Sequence, residues 1–163
     1  MAVRTRVGQG FDIHRFVEGP SDRVLVLGGV KFPGEKPLAG HSDADVIAHA
    51  AADALLGAAA LGDIGMHFPD TDPQWAGANS LTLLAHVAQL VRSAGYEIGN
   101  VDCSIVCEKP KIAPHREAMQ KLLSDAAGAT ITVKGRRAEG LGALGREEGI
   151  ACWAVAVIER TQA

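Results

Sequence analysis

Asp12 and His14 are the first residues whose types and spacing could perform metal or acid–base chemistry. They stand two residues apart in segment 4–14, where apolar and polar residues mostly alternate. Such alternation predicts a β-strand with one solvated face. Residues i and i+2 of a strand leave the same face, roughly 6 to 7 Å apart at the backbone. A carboxylate and an imidazole are therefore expected to start close together.

A second imidazole, that of His49, lies in a predicted helix. An alanine-rich segment opens at residues 41–43, with Ser or Asp as N-cap, and runs to about residue 61. Asp45 and Asp53 stand one turn to either side of His49 and share its helix face. One aspartate and two histidines suit Zn²⁺ and leave a fourth tetrahedral position for water or a substrate oxygen. Asp45 or Asp53 is expected to accept a hydrogen bond that fixes the His49 tautomer.

The spacing of these three residues leaves alternatives open. Short Asp-x-His pairs also occur by chance, so ordinary surface or core histidines are at least an equal interpretation. The same donor set suits a non-haem Fe(II) site with two histidines and one carboxylate. Oxygenases of that class use an all-β barrel, and the alanine-rich helix argues against one.

Residues 140–145 spell GxGxxG, the fingerprint of dinucleotide-binding folds. That fingerprint requires a helix at the motif and a following βαβ unit, whereas residues 150–158 alternate like a strand. The glycines instead favour a mobile loop whose N–H groups approach an anion, or a solvated charged turn, and the turn is preferred. The flanking basic residues are Lys134, Arg136, Arg137 and Arg146.

His41 and Ser42 stand where the alanine-rich helix begins. The imidazole, the hydroxyl and the free N–H groups of the first turn could together hold a phosphate. Simple capping by Ser42 is compatible with that role. Segments 63–65 and 68–72 offer further polar groups in loops, although turns in which Asp side chains bond their own backbone explain them equally well.

The surrounding pattern predicts the elements that must position these groups. Besides segment 4–14, strands are expected over 23–32, 101–108, 131–137 and 150–158. Further helices are expected over about 81–94 and 114–127. Interleaved strands and helices predict an α/β or α+β sandwich, with helices covering one face of the sheet, in a single domain spanning residues 1–163.

Composition excludes several classes of protein. The chain has 163 residues, 47% of them hydrophobic and 4% aromatic, and a net charge of −3. These values exclude disorder and argue against nucleic acid as a partner. The three cysteines, Cys103, Cys107 and Cys152, are predicted to be buried reduced thiols. No signal peptide or membrane helix is predicted, so no membrane partner and a cytoplasmic location are expected.

Five motifs, in order and in spacing, together resemble one enzyme family, the 2-C-methyl-D-erythritol 2,4-cyclodiphosphate synthases. The resemblance extends from residue 7 to residue 157. The motifs are Gly8-x-Gly10-x-Asp12-x-His14, the HSDADVxxH segment 41–49, the DALLGAAALGDIG segment 53–65, the FPDTDP segment 68–73 and Gly149-Ile150-Ala151.

The resemblance implies a phosphorus–oxygen lyase of the non-mevalonate isoprenoid pathway. Such an enzyme cyclises 4-diphosphocytidyl-2-C-methyl-D-erythritol 2-phosphate, the 2-phosphate attacking the β-phosphorus and CMP leaving. Intramolecular phosphoryl transfer depends mainly on positioning and charge stabilisation. The resemblance also implies a homotrimer with active sites between subunits. Each subunit would be an α+β sandwich with helices on one face of a four-stranded mixed sheet, and the sheets would face a central channel that binds an isoprenoid diphosphate in some members.

The resemblance assigns a role to each matching position. Asp12, His14 and His49 would hold one Zn²⁺ per subunit, and Glu139 would help to hold a second divalent ion, Mg²⁺ or Mn²⁺. His41 is expected to be catalytic, beside Ser42 at the 2-phosphate and erythritol end. Residues 107–113 would form the cytidine pocket, and Arg146 would lie at the charged end of the channel. Apart from the residues already named, the expected substrate contacts are Asp63, Gly65, Phe68, Asp70, Asp72, Cys107, Pro110, Lys111, Ala113, Arg136, Ala143 and Arg146.

Two departures from the family pattern bear on activity. The usual Lys-Ala-Thr-Thr-x-Glu segment appears as residues 134–139 with Arg136 and Arg137 in place of both threonines. Arg137 is expected to act as a catalytic donor to phosphate, although a longer, charged side chain alters the local geometry. Ala143 replaces a phenylalanine near the channel mouth, which Trp153 could refill. A protein that binds metal and nucleotide but turns over poorly is therefore the alternative to an active cyclase.

Overall fold

The computed structural model describes residues 3–161, in which six strands form one mixed sheet and one small hairpin. The strands are β1 (Val3–Arg15), β2 (Leu25–Leu27), β3 (Val30–Phe32), β4 (Glu97–Val106), β5 (Thr130–Arg136) and β6 (Gly149–Thr161). The large sheet has the order β1-β6-β4-β5. Strand β6 is antiparallel to both of its neighbours, and β4 runs parallel to β5. The predicted α+β fold with a four-stranded mixed sheet is confirmed.

The three long helices lie on one face of this sheet and bury an apolar core against it. The α-helices are α1 (Val46–Ala59), α2 (Ile64–His67), α3 (Ser80–Ser93), α4 (Arg116–Ala127) and α5 (Gly142–Gly145), of which α2 and α5 are single turns. The predicted start of α1 at residues 42–43 is wrong. Ala44 has a left-handed backbone (φ 58°), and Asp45 is the N-cap, accepting hydrogen bonds from the N–H groups of Ile47 and Ala48.

The apolar side chains of β1 lie on the exposed face of the sheet. Val7, Phe11 and Ile13 are 65%, 42% and 50% exposed. The opposite face of β1 presents Gly8 and Gly10 to α1. A Cβ atom on either glycine would overlap a carbonyl oxygen of that helix. Helix α1 therefore lies directly on the backbone of β1.

The strand predicted over residues 23–32 is wrong, because β2 and β3 form a separate antiparallel hairpin. Gly28 and Gly29 make its turn with positive φ angles of 56° and 77°. Their N–H groups donate to the two carboxylate oxygens of Asp45, at 2.8 and 2.7 Å. Burial, and to a smaller extent the negative charge of the neighbouring Asp43, raises the pKa of Asp45 to about 6. The Asp45 carboxylate thus joins the hairpin to the start of α1.

Three arginines bind the C-terminal ends of the three long helices. Arg6 donates to Ala58 O at the end of α1, and Arg160 donates to Ala94 O and Gly95 O after α3. Arg92 donates to Ala127 O and Gly128 O after α4, at 2.8 and 3.0 Å. A cation at this position satisfies free carbonyl groups and opposes the negative end of the helix dipole.

The GxGxxG segment forms a single short turn. Helix α5 covers only four of its residues, and β6 follows almost at once, antiparallel to β4. This connection is not the βαβ unit of a dinucleotide site. Cys103, Cys107 and Cys152 are free and buried, as predicted. Within residues 3–161, no helix is both long enough and apolar enough to cross a membrane.

We expect Gly10→Ala to destabilise the protein by about 1 to 3 kcal/mol, because the added methyl group would overlap Ala50 O of α1. Urea unfolding measures the change. The matched control is Gly57→Ala, whose Cβ would meet only Gln9 O at 3.7 Å. The control should keep or raise the free energy of unfolding by up to about 1 kcal/mol. Equal stability of Gly10→Ala and the unmutated protein would contradict the packing.

Candidate active site

Asp12, His14 and His49 meet where the end of β1 passes the first turn of α1. Oδ2 of Asp12 lies 3.1 Å from Nε2 of His14 and 3.0 Å from Nδ1 of His49. The three donor atoms all lie within 4.8 Å of one another. A tetrahedral ion with bonds of 2.0 to 2.1 Å needs ligand atoms roughly 3.3 Å apart. The donor set and its spacing therefore fit Zn²⁺ with one position left for substrate.

Outer hydrogen bonds turn the two imidazoles toward Asp12. Nδ1 of His14 lies 2.7 Å from Ala39 O, to which it donates. Nε2 of His49 lies 2.7 Å from Oγ of Ser80 and 3.2 Å from Oγ of Ser42. The inner nitrogen of each ring is thereby left to face the cluster.

The prediction that Asp45 or Asp53 fixes the His49 tautomer is wrong, because both carboxylates bind backbone groups instead. Asp45 caps α1 and holds the hairpin turn. Asp53 accepts a hydrogen bond from Ile64 N at 2.8 Å. The partner that the structure shows is Ser80, which no sequence pattern indicates. A serine beside a helix N-terminus looks like an ordinary capping residue.

The cluster is electrostatically coupled. Burial acts to raise the pKa of Asp12, but hydrogen bonds from His14 and His49 and the charges of these rings together outweigh it and hold that pKa well below its usual value. Burial acts to lower the pKa of His14, but the hydrogen bond to Asp12, the negative charge of Asp12 and the hydrogen bond to Ala39 O together outweigh it, so the pKa is raised. A metal ion must therefore displace a proton from this site.

A cavity of about 300 Å³ opens beside the three donors. It brings together five of the predicted substrate contacts with the metal cluster, namely His41, Ser42, Gly65, Phe68 and Asp70. Trp75, which the sequence analysis missed, also lines it and packs edge-on against Phe68 at 5.0 Å between ring centroids. The only sequence feature that indicates a role for Trp75 is its position as an aromatic residue in a loop rich in proline and glycine.

The predicted phosphate clamp at the start of α1 is reduced to two side chains. The first free N–H groups of α1 already donate to Asp45, so they are not open to a phosphate. His41 remains exposed at the cavity, with Nε2 3.1 Å from Asp72 O. Ser42 is buried, and its hydroxyl accepts a hydrogen bond from Ala44 N at 3.2 Å.

Two other predicted substrate contacts do not line this cavity. The carboxylate of Asp63 caps α2 through Met66 N, and that of Asp72 caps the short helical turn Pro73–Trp75 through Gln74 N. The alternative interpretation of these segments, turns in which Asp side chains bond nearby backbone groups, is therefore confirmed for both residues. A direct contact from either carboxylate to substrate is not supported by this geometry.

The predicted cytidine pocket forms a separate cavity of about 210 Å³ at the ends of β4 and β5. The predicted residues that line it are Cys107, Pro110, Lys111, Ala113 and Arg136. Burial raises the pKa of the Cys107 thiol to about 12, so this side chain is not a nucleophile at neutral pH. Because β1 and β5 are opposite edges of the sheet, three strand spacings, about 14 Å, separate this pocket from the metal cluster.

Arg137 is bound to a neighbouring carboxylate. Its Nη2 and Nε lie 3.1 and 3.3 Å from Oε2 of Glu108, whose Oε1 accepts a hydrogen bond from Ala138 N at 2.7 Å. Glu108 takes two of the five N–H donors of this exposed guanidinium, and a catalytic role for Arg137 stays a prediction. Glu139 follows with a positive φ of 55° and an exposed side chain.

Ala143 and Arg146, which the resemblance places near the mouth of the channel, line neither the cavity beside the metal cluster nor the predicted cytidine pocket. Ala143 lines a groove of about 600 Å³ beside His14 and Ala39. Arg146 donates to Oε2 of Glu148 at 2.8 Å. Their contacts with substrate or a channel ligand stay predictions.

Comparison with known proteins places these features in one family. The YgbB family model matches residues 5–159. The chain is 52% identical over 161 residues to the 2-C-methyl-D-erythritol 2,4-cyclodiphosphate synthase of Geobacillus thermodenitrificans, covering 97% of this chain and 99% of the relative. It is 54% identical over 158 residues to the synthase of the same name from Bacillus cereus, covering 95% and 98%.

Solved structures agree with the sequence relatives. A CDP complex of Plasmodium falciparum IspF superposes with a TM-score of 0.83 at 34% identity, covering 97% of both chains. The bifunctional IspDF of Campylobacter jejuni superposes with a TM-score of 0.91 at 38% identity. The chain studied here covers 44% of that longer protein.

We expect zinc affinity to fall with acidity. Below the raised pKa of His14, one proton competes for Nε2, so the zinc dissociation constant should rise about tenfold for each pH unit. Without metal, the same raised pKa stabilises the fold below the unfolded value of 6.5, and this contribution is lost as pH rises through the folded pKa. Chelator competition between pH 5 and 8 measures the first effect. A dissociation constant that does not change over this range would contradict it.

Proposed function

Because this chain belongs to the YgbB family, that of the 2-C-methyl-D-erythritol 2,4-cyclodiphosphate synthases, we propose that it cyclises 4-diphosphocytidyl-2-C-methyl-D-erythritol 2-phosphate and releases CMP. The observation that carries the proposal is the Asp12, His14 and His49 cluster at the wall of a cavity large enough for the erythritol phosphate end. The protein is then a phosphorus–oxygen lyase of the non-mevalonate isoprenoid pathway.

Binding at this cavity would orient the reacting groups. His41 and Ser42 present a ring nitrogen and a hydroxyl on one side of the metal cluster, suited to the 2-phosphate. Phe68 and Trp75 form an apolar wall that excludes water from the attacking oxygen. A bound Zn²⁺ would supply Lewis-acid stabilisation of charge on the β-phosphate.

The nucleotide end would occupy the pocket at the ends of β4 and β5. Lys111, Arg116 and Arg136 give this pocket a positive lining suited to a diphosphate, and Pro110 and Ala113 provide an apolar wall for the base. Glu139 offers the carboxylate that a second divalent ion, Mg²⁺ or Mn²⁺, would use between the phosphates. Holding both ends of the substrate lowers the entropic cost of ring closure.

The family resemblance implies a homotrimer, and we infer that the exposed face of the sheet forms its interface. The exposed apolar side chains of β1 and β6 on that face are Val7, Phe11, Ile13, Trp153 and Val155. An apolar patch of this kind on the outer face of a sheet is typical of a protein–protein interface. Packing these faces around a threefold axis would bring the metal cluster of one subunit toward the nucleotide pocket of another.

The same side chains would line the central channel. Phe11 and Trp153 pack together there with ring centroids 4.9 Å apart, which supports an apolar channel wall although Ala143 lacks the usual aromatic ring. Binding of an isoprenoid diphosphate in this channel stays a prediction, as does the cytoplasmic location.

A metal- and nucleotide-binding protein with poor turnover is the second candidate, favoured by the Arg137–Glu108 ion pair where the family has threonine hydroxyls. The iron oxygenase alternative loses its support, because the fold is α+β and not an all-β barrel.

We expect CMP release from the diphosphocytidyl substrate to stop on chelation and to return with added metal. In His49→Ala, metal should not restore it, because one of three metal-binding donors is lost. A coupled assay or chromatography of CMP measures turnover. His86→Ala, which changes a histidine that packs behind Phe68, is the matched control and should keep CMP release. Metal and CDP binding without CMP above background would favour the second candidate.

We expect Val155→Asp to convert the trimer to monomers and to abolish most turnover. The residue is exposed in the single chain, so a carboxylate is tolerated there, but it would be buried without a partner in the assembly. Light scattering measures the mass in solution. Val24→Asp, also exposed but outside the sheet, should leave the trimer intact. A fully active monomer of the unmutated protein would refute an interface-built site.

A further inference from the structure

A buried hydrogen-bond relay leads away from the metal cluster. Nε2 of His49 lies 2.7 Å from Oγ of Ser80, and Oγ of Ser80 in turn donates to Oδ1 of Asp43. Ser80, the first residue of α3, is 1% exposed. Oδ2 of Asp43 accepts a second hydrogen bond from Ser80 N at 3.0 Å. Both polar groups of Ser80 are thus directed at one carboxylate.

The chemistry of the three groups gives this relay one direction. An ionised carboxylate can only accept hydrogen bonds, so the Ser80 hydroxyl must use its single proton on Asp43. The lone pairs of Oγ are then left to accept a hydrogen bond from Nε2–H of His49. With a cation in the cluster in place of the hydrogen bond between His49 and Asp12, a neutral imidazole protonated on Nε2 would direct the lone pair of Nδ1, the nitrogen 3.0 Å from Asp12, at that cation. The relay therefore selects the tautomer that can bind a metal.

We propose that Ser80 and Asp43 are positioning residues that hold His49 in its metal-binding tautomer and orientation. The proposal rests on the metal-dependent function proposed above and goes beyond it by naming residues outside the donor set. The negative charge of Asp43, transmitted through the Ser80 hydroxyl, also raises the basicity of Nδ1 toward a cation. Neither residue lines the substrate cavity.

Ser42 is a weaker partner for the same nitrogen. Its Oγ lies 3.2 Å from Nε2 of His49, compared with 2.7 Å for Ser80. The Ser42 hydroxyl also accepts a hydrogen bond from Ala44 N and lies at the substrate cavity. It has no carboxylate behind it among its contacts in the described residues. Ser80 therefore carries the main part of the positioning effect.

The test measures zinc affinity and the His49 tautomer rather than activity alone. We expect Ser80→Ala to raise the zinc dissociation constant 10- to 100-fold in chelator competition. In ¹⁵N-labelled protein, the Nε2–H proton of His49 should give a slowly exchanging signal in the unmutated chain and lose that protection in Ser80→Ala. Asp43→Asn keeps an acceptor but removes the charge, so it should raise the dissociation constant by a smaller factor.

Ser124→Ala is the matched control. Its hydroxyl is partly buried and bonds only the backbone of Ile131, far from the cluster, so its loss should lower the melting temperature without changing zinc affinity. The positioning role would be overturned, without affecting the proposed function, if Ser80→Ala bound zinc as tightly as the unmutated chain. It would also be overturned if Ser124→Ala raised the zinc dissociation constant as much as Ser80→Ala does. Failure of the unmutated chain to bind zinc at all would instead overturn the proposed function together with it.

Discussion

The close approach of α1 to β1 is the constraint on which the site depends. Gly8 and Gly10 have no side chain, so the helix backbone lies against the strand backbone. This places His49, in the first turn of α1, within hydrogen-bond distance of Asp12, two residues beyond Gly10. A wider spacing between these elements would separate the histidine from the other two donors, whatever the surrounding loops did.

Around this contact, one buried and two half-buried carboxylates have separate roles. Asp45 orders the hairpin and the start of α1, Asp43 orders Ser80 and the start of α3, and Asp12 is left for the cluster. Because each of the first two accepts several backbone or hydroxyl hydrogen bonds, neither competes for a cation. One short segment thereby provides capping, positioning and a metal-binding imidazole within seven residues, 43–49.

Residue type and spacing predicted the four long strands and the three long helices. They also brought Asp12, His14 and His49 forward as candidate metal ligands, and the family resemblance then favoured that role over ordinary histidines. Residue type and spacing were insufficient where contacts join distant segments. The pair Gly28 and Gly29 resembles an interruption in a strand as much as a hairpin turn. Ser80 meets His49 across 31 residues, and Arg137 meets Glu108 across 29. No local pattern in the sequence indicates such partners. That the apolar side chains of β1 are on the exposed face, and not in the core, is evident only from the packing of α1 on Gly8 and Gly10.

The arginines at the helix ends link the sheet to the cooperativity of folding. Arg6 and Arg160 belong to β1 and β6 and reach carbonyl groups 52 and 66 residues away. The end of α1 is therefore completed only when β1 is in place, and the end of α3 only when β6 is in place. Partial unfolding that releases the edge strand β1 would also fray the end of α1, and loss of β6 would fray α3, so such states are costly and the molecule should open as one unit.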